Sequence, residues 1–391
     1  MRITHATRIL IVIISIFSLV GCQKEDIPPV SSNERTIFMY LPWSTNLTEY
    51  FYNNISDMEK AISRRGLHNE RVIVFLSTSA SEAEMFEIVY ENGHCRRDML
   101  KEYTTPAFTT ETGLTAILND MKSYAAAANY AMIIGCHGMG WLPVEQSRGR
   151  AITDFVYHWE YTDVPQTRFF GGLTAEYQTD VTTLSQSLSN SGLKMDYILF
   201  DDCYMSSLEA AYDLRHVTDY LIACPTEIMV YGMPYSTMGE YLLAEKPDYA
   251  AICNAFYQFY SSYQYPYGTI AVTDCSQLDE LADLMKLIHS SYSLDNSQIT
   301  YIQRMDGYSP VIFYDFGDYV RTLCGNDSEL YGYFIALMEK VIPYKAHTER
   351  FYTASRGPIT VEQYSGITTS EPSSNSRTID YPQTSWYLAT H

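Results

Sequence analysis

Short apolar runs alternate with amphipathic stretches along most of this chain. Runs of strand length and high apolar content occur at Glu34–Tyr40, Arg71–Leu76, Tyr130–Gly135 and Tyr197–Phe200. Between these runs, apolar residues recur at the three- and four-residue spacing that is typical of amphipathic helices, as in Leu47–Arg64 and Thr110–Ala127. Strands that alternate with helices predict an α/β fold with a mainly parallel sheet and helices on both faces.

The same patterns predict the remaining elements. A hairpin is expected over Glu84–Tyr90 and Arg96–Tyr103, because the Glu91–Gly93 segment between them is a turn sequence. Further strands are predicted at Asp219–Cys224, Gly268–Asp274, Phe351–Ser355 and Gln363–Thr369. Further helices are predicted at Tyr204–Leu214, Ala250–Tyr263, Gln277–Ser290, Val311–Leu323 and Glu329–Val341. We therefore expect one large domain with a C-terminal elaboration.

Two of the predicted strands end in reactive side chains. The run that ends at Phe200 is followed by two acids and Cys203, and the run that ends at Gly135 is followed by Cys136 and His137. Open α/β sheets display reacting groups at the carboxyl ends of their strands, so Cys203 and His137 are expected at the same sheet edge. A helix that begins directly after Cys203 would favour its thiolate, and a cysteine nucleophile also needs a nearby base. His137 is the candidate for that base.

These stretches resemble the clostripain-like cysteine peptidases of the caspase-like clan. The His-Gly-x-Gly-Trp run at His137–Trp141 and the run FDDCYMSSLE at Phe200–Glu209 are similar to the histidine and cysteine motifs of that family. Arg35–Leu41 and Ala223–Tyr235 resemble its first strand and a later segment. Asp202 departs from the family pattern, in which a small residue precedes the cysteine. A second departure is Leu41-Pro42-Trp43, which replaces an Ala-rich turn.

The resemblance implies a caspase-like three-layer sandwich and a cysteine endopeptidase that cuts after Arg or Lys. It implies that Cys203 is the nucleophile and His137 the base, with the backbone N–H groups of Gly138 and Cys203 facing the oxyanion. By resemblance, Asp201 binds the basic P1 side chain. Asp201 could instead cap the following helix, which would leave the pocket to Glu227 or to apolar residues. By resemblance, calcium is a candidate cofactor, and no other cofactor is expected.

The N-terminus reads as a targeting segment. Met1–Gly21 has a basic start and an apolar stretch too short for a stable membrane span, so we expect a signal peptide. Leu19–Cys22 resembles a bacterial lipobox, in which Cys22 is lipidated after cleavage; an ordinary signal peptide with an incidental cysteine is the alternative. Gln23–Asp26 resembles the surface-export signal of Bacteroidetes lipoproteins. We thus predict a lipid-anchored spacer over residues 22–33, a peptidase domain over residues 34–391, and a lipoprotein at the outer membrane or cell surface of a Gram-negative bacterium.

The net charge of the chain limits the kinds of partner that we expect. The formal net charge is −20, and loss of Arg2 and Arg8 with the signal peptide would make it −22. Such a surface repels nucleic acid and anionic headgroups, so no nucleic-acid partner is expected and membrane contact is expected only through the lipid anchor. It favours cationic peptide or protein substrates, although solubility alone would also explain it.

The sequence contains no motif of several other enzyme classes. The chain contains no HExxH, Walker, G-x-G-x-x-G or G-x-S-x-G sequence, and its eight cysteines show no zinc-site spacing. No metal ligands are predicted, and most cysteines are expected to be buried free thiols.

Two alternatives stay open at this stage. The irregular stretch over residues 139–180 is either a lid or cleavage loop, which in the family can be cut autocatalytically, or an inserted hairpin. The altered position at Asp202 leaves room for a second function, a catalytically silent lipoprotein of the same fold that binds peptides or glycans.

Overall fold

In the computed structural model, which describes residues 33–144, 170–326 and 328–391, nine strands form one central sheet. The earlier strands are β1 (Arg35–Leu41), β2 (Glu70–Ser77), β3 (Glu82–Glu91), β4 (His94–Thr104), β5 (Asn129–Gly135), β6 (Phe170–Gly171), β7 (Gln178–Thr179) and β8 (Met195–Asp201). The later strands are β9 (Thr218–Ala223), β10 (Thr269–Asp274), β11 (Tyr314–Asp315), β12 (Tyr344–His347), β13 (Arg350–Thr353), β14 (Gly357–Thr360) and β15 (Thr368–Thr369).

The helices occupy the segments between these strands. They are α1 (Thr48–Arg65), α2 (Glu111–Tyr124), α3 (Val181–Asn190), α4 (Leu208–Leu214), α5 (Tyr235–Leu242), α6 (Tyr249–Ser262), α7 (Leu278–Ser291), α8 (Phe316–Cys324), α9 (Glu329–Val341) and α10 (Ser385–Thr390). Within the described residues, no helix is long and apolar enough to cross a membrane.

The order of strands in the central sheet is β12-β10-β9-β8-β5-β1-β2-β3-β4. The five strands from β9 to β2 run parallel, and antiparallel strands extend the sheet at both margins. The hairpin predicted around Gly93 is confirmed as β3 and β4. The prediction of a mainly parallel sheet is therefore correct for its centre, where β5 and β8 lie side by side.

Helices cover both faces of the sheet, as predicted. Strand β1 shows why, because its side chains alternate between two hydrophobic cores: Ile37 and Met39 join one, and Phe38 and Tyr40 join the other. Helices α1, α5 and α6 supply the first core, whereas α2, α3, α4 and the C-terminal helices α7–α10 supply the second. A strand buried on both faces must be apolar at every position, which accounts for the continuous runs in the sequence.

Three predicted elements differ in their bounds. Helix α4 starts at Leu208, because Ser207 accepts the N–H of Ala210 as the N-cap, and the helix predicted from Tyr204 is therefore wrong in its first turn. Helix α8 starts at Phe316 instead of Val311, since Asp315 caps it by accepting the N–H of Asp318. Of the strand predicted over Gln363–Thr369, only Thr368–Thr369 is a strand.

Several predictions fall outside the described residues. These are the signal peptide, Cys22, the spacer up to residue 32, and residues 145–169 of the irregular stretch. The residues from Ser32 to His391 cluster as one compact unit.

Candidate active site

The register of two parallel strands brings His137 and Cys203 together. Gly135 of β5 pairs with Asp201 of β8, so His137 and Cys203 each follow that pair by two residues. Both side chains line one pocket at the carboxyl edge of the sheet, as the strand pattern predicted. The main chain of His137 is held in place by two hydrogen bonds with Gly171, from His137 N to Gly171 O (3.1 Å) and from Gly171 N to His137 O (2.9 Å).

The pocket at this edge is small. Its volume is about 40 Å³, which is room for only a few water molecules. Its apolar wall comes from α1 and from the segment that follows β9, including Phe51 and Met229. In this conformation the pocket is too small to enclose a whole Arg or Lys side chain.

Asn46 orients the imidazole of His137. The Oδ1 atom of Asn46 lies 2.7 Å from Nε2 of His137. Because an amide oxygen only accepts hydrogen bonds, Nε2 carries the proton and the lone pair of the neutral ring lies on Nδ1. Burial lowers the pKa of His137 to about 3, although a hydrogen bond with the main chain of Ser44 acts in the opposite direction. The histidine is therefore neutral near pH 7, which is the protonation state that a general base requires.

Cys203 rests as a thiol. Burial raises the pKa of Cys203, and the carboxylates of Glu227, Asp202 and Asp201 raise it further. The favourable effect expected from a helix N-terminus is absent, since α4 begins only at Leu208. A proton acceptor must therefore remove the thiol proton during the reaction, and His137 lines the same pocket.

A strained residue follows the cysteine. Tyr204 has a φ of 62°, a left-handed conformation that is unfavourable for a bulky side chain. It is held there by three contacts: its N–H donates to Thr226 O (3.0 Å), its hydroxyl donates to Glu227 Oε1 (2.7 Å), and its ring stacks on Phe313. The sharp turn at Tyr204 follows the end of β8 at Asp201 and leaves Cys203 at the sheet edge.

Glu227 lies beside the site rather than in the pocket. Its second oxygen accepts the N–H of Ala354 at 2.9 Å, so both carboxylate oxygens have partners within the fold. Burial raises its pKa to about 7. This arrangement makes Glu227 a positioning residue for Tyr204, and the substrate-binding role predicted for it stays a prediction.

The two acids before Cys203 have different partners, and neither caps a helix. Asp202 accepts from the N–H of Cys136 at 2.7 Å, and its other oxygen lies 3.3 Å from the Cys136 Sγ, so it joins the ends of β5 and β8. Burial raises the pKa of Asp202 well above its usual range. Its presence instead of a small residue thus has a structural explanation. The capping role considered for Asp201 is wrong, because Ser207 caps the following helix.

Asp201 lines the pocket with Cys203. Its oxygens accept from the Met233 N–H (2.8 Å) and the Tyr235 hydroxyl (2.9 Å). Gly232 passes so close that a Cβ there would lie 2.6 Å from Asp201 Oδ1, and its φ of 74° also favours glycine. Burial raises the pKa of Asp201 to about 7. A carboxyl group is therefore present in the pocket wall, fixed by the loop before α5.

Gly138 packs against the main chain of Cys203. A Cβ at this position would lie 2.5 Å from the carbonyl oxygen of Cys203, so only glycine fits. The glycine of the histidine motif is thereby explained by a close approach of β5 and β8. Its predicted role as an oxyanion donor stays a prediction.

Asn46 is the residue that sequence reasoning missed. It lies in the loop between β1 and α1, 91 positions before His137. That loop contains the Leu41–Trp43 departure from the family pattern, and no periodicity or motif marks Asn46.

Comparison with known proteins places the chain in a family. It matches the model of the clostripain family over residues 39–341, which is more than half of its length. A secreted cysteine protease from Bacteroides thetaiotaomicron, iotapain, is 53% identical, with a TM-score of 0.85 over 92% of this chain and 99% of that chain.

Two further solved structures are similar. A clostripain from Bacteroides thetaiotaomicron in complex with a peptide inhibitor is 54% identical, with a TM-score of 0.56 over 57% of this chain and 99% of that one. A protease from Parabacteroides distasonis, solved as an inactive zymogen, is 26% identical, with a TM-score of 0.75 over 93% of this chain and 99% of that one. None of the curated proteins compared matches the chain. The chain is therefore a cysteine protease of the clostripain family, with the caspase-like α/β fold that its motifs predicted.

Proposed function

We propose that this protease is a surface-anchored endopeptidase that cleaves peptide bonds after Arg or Lys, with Cys203 as the nucleophile and His137 as the general base. The observation that carries the proposal is the pocket that His137, Cys203 and Asp201 line together at the carboxyl edge of β5 and β8. A base, a nucleophile and a carboxyl group for a cationic side chain are the three groups that this reaction needs.

The reaction begins with a proton transfer inside a neutral pair. Nδ1 of His137 accepts the Cys203 proton while the sulfur attacks the substrate carbonyl carbon. The carbonyl π electrons move to oxygen, and the backbone N–H groups of Gly138 and Cys203 stabilise that charge. As the intermediate collapses, the C–N bond breaks and His137 gives its proton to the departing amine. A water molecule, deprotonated by His137, then hydrolyses the thioester and restores the thiol.

Asn46 supports this cycle by fixing the ring. By accepting from Nε2, it keeps the lone pair on Nδ1 and the ring in one orientation. It also offers a partner for the Nε2 proton when His137 is charged after the transfer. We assign Asn46 as a positioning residue.

The proposed preference for Arg or Lys is supported by Asp201. An almost fully buried carboxyl group in a pocket wall is stabilised in its charged form when a cationic side chain pairs with it. The clostripain from Bacteroides thetaiotaomicron was solved with the inhibitor BTN-VLTK-AOMK, whose peptide sequence ends in Lys. A side chain as long as Arg or Lys does not fit a volume of about 40 Å³, so the pocket must widen before substrate binds.

The proposed attachment to the membrane is supported by the sequence alone. Lipidated Cys22 would hold the protease at the membrane, and the spacer that follows would hold the domain away from it. The similar protease from Bacteroides thetaiotaomicron is described as secreted.

The alternative that Asp202 left open in the sequence is peptide or glycan binding without catalysis. Peptide hydrolysis by purified protein separates the two. We expect wild type to cleave Arg- and Lys-containing peptides, His137→Ala to lower kcat by about 100- to 10,000-fold, and Cys203→Ala to abolish turnover. Cys324→Ala is the matched control, because this half-buried cysteine lies in α8 outside the pocket. Equal turnover in wild type and Cys203→Ala would contradict the proposal.

A further inference from the structure

Three side chains that are distant in sequence meet at the C-terminal end of the fold. His289 lies in α7, Glu371 follows β15, and His391 follows α10. One ligand atom from each of these residues lies within 4.8 Å of the others. The imidazole rings of His289 and His391 stack with their centroids 4.3 Å apart. This group, which we call the His289 cluster, opens onto a cleft of about 700 Å³.

Backbone oxygens orient the imidazole rings of His289 and His391. Nδ1 of His289 lies 3.2 Å from Thr390 O, and Nδ1 of His391 lies 3.3 Å from Tyr387 O. A carbonyl oxygen only accepts, so Nδ1 is the protonated nitrogen of each ring and Nε2 is the nitrogen that can coordinate a cation. Nε2 of His289 lies 3.3 Å from the Tyr319 hydroxyl, which donates to it when no cation is bound. In metal-binding histidines the nitrogen that does not coordinate usually donates a hydrogen bond to an oxygen such as a carbonyl, which fixes the orientation of the ring.

The carboxylate of Glu371 is also held in one orientation. Oε2 of Glu371 accepts from the Tyr381 hydroxyl at 2.6 Å, whereas Oε1 lies 3.2 Å from Nε2 of His391. The Glu371 side chain is only 13% exposed. The oxygen that does not face Tyr381 is therefore directed toward the imidazoles, and its negative charge is mostly removed from water.

These donors define the class of cation. Two imidazole nitrogens and one carboxylate oxygen suit Zn²⁺ and similar divalent transition metals, whereas Ca²⁺ prefers oxygen ligands alone. Three protein ligands leave one position of a tetrahedral ion open, and all three ligands line the cleft. In the absence of a metal, the same contacts form an ion pair and a ring stack, which explains how the groups are tolerated without one.

We propose that His289, Glu371 and His391 form a binding site for Zn²⁺ or a similar divalent transition metal, separate from the cysteine site. The ion would tie α10 and the segment after β15 to α7, fastening the C-terminal helix to the body of the fold. Trp386 of α10 is already buried against Tyr212 and Phe316, so the metal would reinforce a contact that exists.

Cobalt titration of the full, tag-free chain tests the proposal. The protein carries Cys203→Ala, so that the cysteine site does not compete as a soft ligand. We expect one Co²⁺ per chain, with visible absorption bands of low-coordinate cobalt that Zn²⁺ abolishes. Bound Zn²⁺ should also raise the Tm, because it binds the folded state. His289→Gln and His391→Gln should each remove the bands, whereas exposed His94→Gln should leave them unchanged.

A milder substitution is included in case the ligand variants do not fold. Tyr381→Phe keeps the buried ring but removes the donor to Glu371, and loss of such a contact weakens metal affinity by about 10- to 100-fold. Circular dichroism shows which variants are folded. The proposal is overturned if the parent protein gives no cobalt bands, or if folded His289→Gln, His391→Gln and Tyr381→Phe all bind as tightly as the parent.

Discussion

The Oδ1 atom of Asn46 lies 2.7 Å from Nε2 of His137, although the two residues are 91 positions apart in the sequence. Asn46 belongs to the loop after β1, and His137 follows β5, the parallel neighbour of β1 in the sheet. The contact chooses the tautomer of the proposed base and holds its ring, so it connects the fold directly to the chemistry.

Replacing Asn46 tests this contact. Asn46→Ala removes the acceptor for Nε2, so the ring can turn or change tautomer, and kcat should fall by on the order of 100-fold. KM should change little, because Asn46 is not proposed to hold substrate. Steady-state kinetics on a peptide substrate measures both constants. Exposed Asn53→Ala in α1 is the matched control, and unchanged kcat in Asn46→Ala would show that the contact is not needed.

Asp201→Asn tests the specificity pocket. The amide can still accept from the Met233 N–H and can donate to the Tyr235 oxygen, so the fold is kept while the charge is lost. We expect wild type to prefer Arg over Lys at P1, because the planar guanidinium matches a carboxylate. The variant should lose about 10- to 100-fold in kcat/KM for basic P1 residues alone.

A P1 library profiled on both proteins measures this effect. Because the pKa of Asp201 is raised to about 7, the preference for basic residues should strengthen as the pH rises through that value. A wild-type profile led by Asn, Asp or apolar residues would rule out Asp201 as the specificity residue and leave the dyad untouched.

Glu209 should make the fold less stable at alkaline pH. It is fully buried in α4, where Oε1 accepts from Thr369 and Ser370 and Oε2 has no hydrogen-bond partner among the described residues. Burial raises its pKa from 4.5 to about 7. The native state thus keeps a proton that the unfolded chain loses, so stabilisation from this group is present below pH 4.5 and is lost as the pH rises through 7.

Glu209→Gln imitates the protonated form and should reduce the difference in unfolding free energy between pH 5 and pH 8. The reduction should be at most about 3 kcal/mol, given the size of the pKa change. Urea denaturation at both pH values measures it, and exposed Glu339→Gln in α9 should keep the wild-type difference. An unchanged pH dependence in Glu209→Gln would show that Glu209 is ionised in the native protein.

Cys22→Ala should release the protease from the membrane fraction. A lipid on Cys22 is the only membrane anchor that the sequence predicts, and no described helix is long and apolar enough to cross a membrane. Cell fractionation followed by immunodetection measures the distribution. If the variant stays in membranes, the apolar N-terminal segment is retained uncleaved and acts as the anchor.

The meeting of His137 and Cys203 was predictable because it depends on local patterns. Each residue ends an apolar run, and parallel neighbours in a sheet place their carboxyl ends together. The start of α4 was not predictable from spacing alone. Tyr204 and Met205 are buried like helical residues, but they are in a strained turn held by Glu227 and Phe313.

The roles of the two adjacent acids also depend on tertiary structure. Successive residues at the end of a strand point to opposite faces, so Asp201 reaches the loop before α5 and Asp202 reaches Cys136. Sequence alone does not show which face holds the pocket. The same limit applies to Asn46 and to the His289 cluster, whose members are brought together only by the path of the whole chain.

The most direct test of the proposed chemistry is covalent labelling of Cys203. A peptide acyloxymethyl ketone ending in Arg or Lys is incubated with wild type, Cys203→Ala and His137→Ala, and the modified residue is identified by peptide mass spectrometry. We expect one adduct on Cys203 in wild type, none in Cys203→Ala, and much slower labelling in His137→Ala, because the thiol rests protonated and needs its base. Labelling of a different cysteine, with Cys203 unmodified and peptide hydrolysis intact in Cys203→Ala, would contradict the proposed chemistry.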